Sequence, residues 1–244
     1  MGYARVGPAV APTPPTPPAV VVSVGGSVLV TGDDDAGYLT ALGRLVRRLA
    51  ARHALVVTTG GGRTARELIE LGRALGMTEV ELDEVGIDVT RTHARLLAAA
   101  VGPPTRGAPI PTSVAGAAYE THRGAPVILG GTEPGHTTDA VAALVAVRLG
   151  ADRVVNATSV DGIYDHDPRR DPAAKRFDRL SFEEFRRLVE RNTDGTAGQQ
   201  FVFDRLGAEA LARARIPLVV VHGRDLANLE RAIGGLECHG TRVA

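Results

Sequence analysis

The sequence predicts an α/β protein, a three-layer αβα sandwich around a mainly parallel sheet. Two observations carry that prediction. Five short runs rich in β-branched residues recur along the chain: AVVVSV (19–24), ALVVTT (54–59), PVIL (126–129), RVVNA (153–157) and PLVVV (217–221). They are continuously apolar, as strands covered on both faces are. Amphipathic helical segments separate them, and strands alternating with helices build parallel sheets through crossovers.

Each element follows from local chemistry. Residues 7–18 read GPAVAPTPPTPP, with six prolines. They predict a disordered or extended tail over 1–18, with structure beginning at Ala19. Leu39, Leu42, Leu45, Val46 and Leu49 share one helical stripe after the first strand, and Arg44, Arg47, Arg48 and Arg52 lie mostly outside it. Ala65, Leu68, Gly72 and Leu75 give the helix after the second strand its apolar face. Leu82, Val85, Val89, His93, Leu96 and Leu97 mark a helix of about 20 residues, with His93 as a core residue. Ser181 with Glu184 makes a capping box ahead of Phe182, Phe185 and Leu188. Asp204 opens a helix after Val202 and Phe203, and Asp225 caps a last helix that Gly234 and Gly235 end. No linker stands out after residue 19, so 19–244 reads as one domain.

Composition narrows the class. There are 28 basic and 28 acidic residues, and Lys175 is the one lysine among the 28. Arginine stays protonated, so Schiff-base chemistry has Lys175 or nothing. Zero net charge argues against a long-range basic field for nucleic acid. One cysteine, Cys238, excludes an internal disulfide framework and a cysteine-cluster metal site. No apolar run is long enough for a membrane span, and the first residues lack a signal-peptide core. A cytoplasmic protein without membrane or nucleic-acid partners is expected.

The chemistry is written in three glycine turns, each after a buried strand: Gly25-Gly26-Ser27, Gly60-Gly61-Gly62 and Gly130-Gly131-Thr132. All three fall at strand C-termini, where open α/β sheets bind ligands. One such turn is often geometric; three on one sheet edge point to phosphate, which backbone N–H groups and helix starts bind well. Arg63 and Arg66 lie in the first turn of the next helix. A cation there opposes the helix dipole unless an anion is bound. Each arginine has an acid four residues on, Glu67 and Glu70; Arg63 is expected to take that pairing and Arg66 to meet a ligand.

Alternative motifs fail. GxxxxGK[ST] is absent. Gly60-x-Gly62-x-x-Ala65 matches a dinucleotide fingerprint, but Glu79, Glu81 and Asp83 fall at a helix start where a strand-end acid is required. No GxSxG or HExxH occurs. In the loop 157–168, Tyr164 suits base stacking and Asp167 a ribose hydroxyl; an Asx-type turn ahead of Pro168 is the plainer alternative. Asp161, Asp165 and Asp167 lack the later Gly and Glu of an EF-hand, so no protein metal site is expected.

Residues 20–243 resemble the amino acid kinase family and, within it, the archaeal-type UMP kinases. The motifs are VGGSVL (24–29), GGGRTAREL (60–68), LDEVGIDVTR (82–91), GGTEPGHTTDAVAALVA (130–146), ATSVDGIYDHDP (157–168) and GTRV (240–243). The segment PGHTTDAVAA is the most specific. The resemblance implies ATP-dependent phosphorylation of UMP to UDP in pyrimidine nucleotide synthesis, by a homohexamer, with Mg²⁺ carried in on ATP. It implies an acceptor lobe over about 19–150 and an ATP lobe over about 151–244. Gly26 and Ser27 would meet the ATP phosphates, Gly62 and Arg66 the transferring or ATP phosphate, and Gly61 the UMP. Asp83 would accept from the UMP ribose. Thr132, Glu133, Pro134, Gly135, His136, Thr137 and Thr138 would hold the UMP base and phosphate. Thr158, Tyr164 and Asp167 would hold the ATP nucleoside, and Asp204 matches an acid near the phosphates. Arg66, Ser27 and Asp204 are the implied catalytic set.

Three departures stand out. Ser23 occupies the first-strand position where much of the wider family carries lysine. Lys175 matches a lysine of the archaeal-type branch and reads equally as an exposed loop charge. Glu133 stands where relatives carry histidine. The alternatives are another small-molecule kinase of this fold, or a non-catalytic nucleotide- or oxyanion-binding paralogue.

Overall fold

The computed structural model describes residues 17–193 and 203–244. Residues 1–16 of the tail expected over 1–18, and Val202 ahead of Asp204, lie outside the described residues. Pro18 is already tied to the sheet, its carbonyl accepting from the Ala54 amide at 3.0 Å.

The apolar runs become β1 (Ala19–Val24), β2 (Ala54–Thr59), β3 (Val127–Leu129) and β4 (Arg153–Thr158). Between them lie α1 (Gly26–Leu29), α2 (Asp35–Ala50), α3 (Gly62–Ala74), α4 (Glu79–Val101), α5 (Val114–Glu120) and α6 (Thr138–Leu149). The rest of the described chain adds β5 (Ile163–Tyr164), β6 (Arg176–Phe177), β7 (Arg179–Leu180), α7 (Phe182–Thr193), α8 (Arg205–Ala214), β8 (Leu218–His222), α9 (Leu226–Ile233) and β9 (Thr241–Val243). Caps appear where side-chain chemistry places them. Thr78 and Glu81 form a reciprocal box at α4, and Asp204 and Asp225 accept from Gly207 and Asn228 amides. Ser181 and Glu184 bond reciprocally at the start of α7.

Seven strands form one sheet in the order β3-β2-β1-β4-β8-β9-β7, parallel except between β8 and β9. A short β5–β6 hairpin pair stands apart. Alternate residues of β1 face opposite layers. Val20, Val22 and Val24 pack with Leu42, Leu45, Leu97 and Leu229, whereas Val21 packs with Val141, Val145, Phe185 and Leu211. Both faces are dry, which explains why the strands are apolar throughout.

Strand order turns back on itself between β1 and β4. Successive strands run from β1 to β3 in one direction, and β4 then returns to the other side of β1. Such a reversal opens a crevice at the C-terminal strand ends.

The helix α3 corrects one expectation. Ala65 and Gly72 are buried, but Leu68 and Leu75 are 43% and 75% exposed, with Leu71 at 58%. The helix packs on its small-residue side: a Cβ on Gly72 would come within 2.7 Å of Met77 Sδ and 2.8 Å of Leu82 Cδ2. That close approach turns the leucines outward.

Candidate active site

The first two glycine turns are built against each other. Gly25 N donates to Ala157 O and Gly60 N to Val24 O, both at 2.9 Å. A Cβ on Gly26 would overlap the Gly62 amide nitrogen, so only glycine permits this backbone contact. Gly62 itself has φ +61°, a left-handed conformation that glycine adopts without strain.

A cavity of about 360 Å³ opens beside these turns, at the strand-order reversal. Of the residues singled out by sequence, Gly26, Ser27, Gly61, Gly62, Arg66, Thr138, Thr158, Tyr164 and Asp167 line it. Arg66 begins the second turn of α3, one turn later than expected, and its side chain reaches the cavity. Arg63 does not line it; its Nε lies 3.4 Å from Glu67, the pairing expected of it.

The third turn forms a second cluster, joined to the cavity through Thr138. Asp83 Oδ2 accepts from the Gly135 amide at 2.7 Å, bringing α4 to residues 132–137. Thr137 caps α6 by accepting from Ala140 N at 3.1 Å. Thr132 Oγ1 and His136 Nδ1 are buried without a hydrogen-bond partner. Glu133 Oε1 is 3.1 Å from His136 Nδ1 but outside hydrogen-bond geometry. Buried polar atoms without partners are costly, and two in one turn mark a surface prepared for a polar ligand.

One turn of α4 holds both glycine turns in place. Thr90 Oγ1 accepts from Gly131 N at 2.7 Å. Arg91 donates to the Gly131 and Thr132 carbonyls, both at 3.1 Å. His93, buried as expected, bonds through Nδ1 to the Gly60 carbonyl at 2.7 Å, so that nitrogen carries the proton. These tethers explain why LDEVGIDVTR carries polar residues on a core-facing helix.

Asp139 is the cavity residue the sequence reasoning passed over. Ser23 Oγ donates to its Oδ1 at 2.6 Å. Burial pushes the Asp139 carboxyl up to about 6; the Ser23 bond pulls it down and the Asp204 charge pushes it up. Its position in the first turn of α6, two residues beyond the capping Thr137, was the available signal. Asn156 and Arg169 also line the cavity. Asn156 carried no signal beyond being polar inside an apolar strand.

Asp204 is placed differently from the implied catalytic role. It caps α8, accepting from Gly207 N at 2.9 Å, and does not line the cavity. Its reach to the site is through its charge on Asp139.

On the far wall, Tyr164 donates its hydroxyl to Asp161 at 2.6 Å. Burial would raise the Asp161 carboxyl, but bonds from Tyr164 and His239 and the charge of Arg176 bring it down to about 2. Asp167 is held below the usual carboxylate range, first by the Arg169 side chain, whose Nε is 3.0 Å away. Lys175 is exposed, and its backbone amide donates to Asp165 Oδ1 at 2.7 Å. It does not line the cavity, so here it takes the loop-charge place.

A model described as the amino acid kinase family matches residues 18–222. The chain belongs to the amino acid kinase family. A uridylate kinase of Methanospirillum hungatei is 42% identical over 226 residues, covering 93% of this chain and 94% of that protein. A uridylate kinase of Methanococcoides burtonii is 42% identical over 206 residues, covering 84% and 87%. The crystal structure of uridylate kinase from Archaeoglobus fulgidus superposes with a TM-score of 0.82 at 36% identity, covering 93% of this chain and all of that one. As an amino acid kinase, the chain places its cavity at the glycine turns and carries serine on the first strand, at Ser23.

Proposed function

We propose that this amino acid kinase is a UMP kinase, transferring the terminal phosphoryl group of ATP to UMP to give UDP and ADP. One observation carries the reading. A glycine-walled cavity containing an arginine adjoins a turn, PGHTT, whose Thr132 and His136 hold unpartnered polar atoms. Two neighbouring binding areas suit two nucleotides meeting at their phosphates.

In this reading the ATP phosphates lie on the amides of Gly26, Ser27 and Gly62, with Thr158, Tyr164 and Asp167 around the nucleoside. UMP lies on Gly61, Asp83 and residues 132–138. An oxygen of the UMP phosphate attacks the terminal phosphorus, and the bond to the bridging oxygen breaks, leaving ADP with the electron pair. A phosphate dianion needs no base, so the chain's work is to position and neutralise. Arg66 supplies fixed positive charge where the two phosphates meet. The oxygen donors Ser27 and Asp139 fit magnesium chemistry and would face an ion carried on the ATP phosphates. Bound there, Mg²⁺ supplies further neutralisation of the phosphate oxygens.

The same reading places the chain in the cytoplasm, in pyrimidine nucleotide synthesis, as a homo-oligomer and by family analogy a hexamer. The outward leucines of α3 support assembly. Among the described residues no helix is long and apolar enough to cross a membrane.

The test is ADP release with Mg·ATP and a panel of UMP, CMP, dTMP and isopentenyl phosphate. Preference for UMP is expected. No turnover with UMP overturns the reading, and turnover with isopentenyl phosphate alone makes it another kinase of this fold.

A further inference from the structure

Arg224 follows β8 by two residues, outside the glycine turns and the motifs around them, yet its guanidinium donates four hydrogen bonds. Nε donates to the Val28 carbonyl at 3.2 Å, and Nη1 to the Asp33 carbonyl at 3.1 Å. Nη2 donates to Thr31 Oγ1 at 2.8 Å and to Asp35 Oδ1 at 2.7 Å. The group also lies over the Tyr38 ring, 4.7 Å from its centroid. A guanidinium satisfied on its fork and its face is a rigid connector rather than a surface charge.

What it connects is specific. Val28 lies in α1, whose first two residues, Gly26 and Ser27, line the nucleotide cavity. Thr31 and Asp33 belong to the segment that follows α1, and Asp35 is the first residue of α2. Asp35 gathers that segment independently, accepting from Thr31 N at 2.9 Å and Gly32 N at 2.8 Å. On its other side, Arg224 is anchored through its neighbour. Gly223 N donates to the Thr158 carbonyl at 2.8 Å, and Gly223 O accepts from the Tyr38 hydroxyl at 2.8 Å. Thr158 lines the cavity too. Contacts therefore run from Thr158 at the end of β4, through Gly223 and Arg224, to the far end of α1, whose first residues adjoin Thr158 at the cavity.

α1 is held in the core by Val28 and Leu29, both fully buried, but its ends have few partners of their own. It is a single turn with no side-chain cap and no basic residue in its last turn. Its carbonyl ends need donors from elsewhere, and Arg224 supplies one.

We propose that Arg224 is a positioning residue for ATP: it fixes the C-terminal end of α1, and so the orientation of Gly26 and Ser27 at its start, against the turn after β8. The inference rests on the reading that ATP occupies this cavity. UMP, on Gly61, Asp83 and residues 132–138, lies on elements Arg224 does not touch, and only Gly61 among them packs on Gly26, so its binding depends much less on the clamp.

The experiment is calorimetric binding of Mg·ATP and of UMP, each alone, to the full-length protein and to Arg224→Gln and Arg224→Lys, with melting temperature recorded for each. Arg224→Gln should weaken ATP by about tenfold or more, because small misplacements of binding groups are costly. Its UMP affinity should stay within about twofold, at the edge of what surface changes do. Arg224→Lys keeps the charge and loses the fork, so it should fall between. Should Arg224→Gln not fold, Asp35→Asn, which removes one clamp partner, carries the same expectation with a smaller shift. Equal loss for both nucleotides, or a lowered melting temperature with unchanged ATP affinity, overturns the positioning role and leaves the kinase reading intact. A wild-type protein that binds UMP but no ATP overturns both.

Discussion

Ser23, on β1, donates a 2.6 Å hydrogen bond to Asp139, in the first turn of α6. A hydroxyl gives one bond and no charge, so Asp139 faces the cavity as a carboxylate without a cation beside it on β1. Burial and the Asp204 charge hold its carboxyl up at about 6, against an ordinary 3.8.

The sign of the stability effect follows. The folded chain holds this proton more tightly than the unfolded one. Asp139 therefore favours folding fully below about pH 4, and that contribution is lost as pH rises through about 6. Its size is on the order of 3 kcal/mol. Asp139→Asn keeps the neutral shape at all pH values. Its melting temperature relative to wild type should rise between pH 4 and pH 7.5, while its turnover falls. Paired thermal melts across that range check this; a difference that stays flat counts against a proton held on Asp139.

Arg66 and Arg63 are three residues apart on α3 and differ in what they face. Arg66 reaches the cavity, and Arg63 pairs with Glu67 in solvent. Arg66→Ala should lower kcat by about a hundredfold or more, since a cation at a transferring phosphoryl is worth at least that. Arg63→Ala gives up an exposed ion pair and should stay within about twofold. Steady-state rates for the two variants decide it, and equal losses would argue against a phosphate beside Arg66.

Gly26 tests the contact between the first two turns. Gly26→Ala puts a methyl group into the Gly62 amide, where neither backbone can yield cheaply. A loss of about 1–3 kcal/mol of stability is expected, as for other overpacked sites, together with a larger loss in kcat/KM for ATP than for UMP. Denaturant melts and steady-state kinetics measure both. A variant with normal stability and kinetics would mean the turns are further apart than described.

The outward leucines of α3 bear on assembly. Leu68, Leu71 and Leu75 recur at helical spacing on one exposed face, and a contiguous apolar stripe of this kind marks an interface. Light scattering should give a multiple of 25.5 kDa for the wild type. A Leu71→Glu, Leu75→Glu double variant should give a smaller particle with a folded circular-dichroism spectrum. An unchanged mass would place the interface elsewhere.

The sequence by itself determined the architecture, because burial on both faces leaves an unbroken apolar strand, and capping leaves short-range signatures such as Ser181 with Glu184 and Asp225 ahead of the last helix. It also marked the three glycine turns, since close backbone contact permits no other residue. Helix α3 shows where that ends. Its period was legible, but its buried side was decided by how near Gly72 can approach Met77 and Leu82, a distance between elements. The same holds at the site. Ser23 and Asp139 are separated by 116 residues, and Arg224 from Val28 by 196. Only tertiary structure brings such pairs within hydrogen-bond range, because a hydrogen bond depends on position in space and leaves no period or spacing in the chain. Asp204 is the converse: its cap is local and was read correctly, while its distance from the cavity wall was a matter of packing.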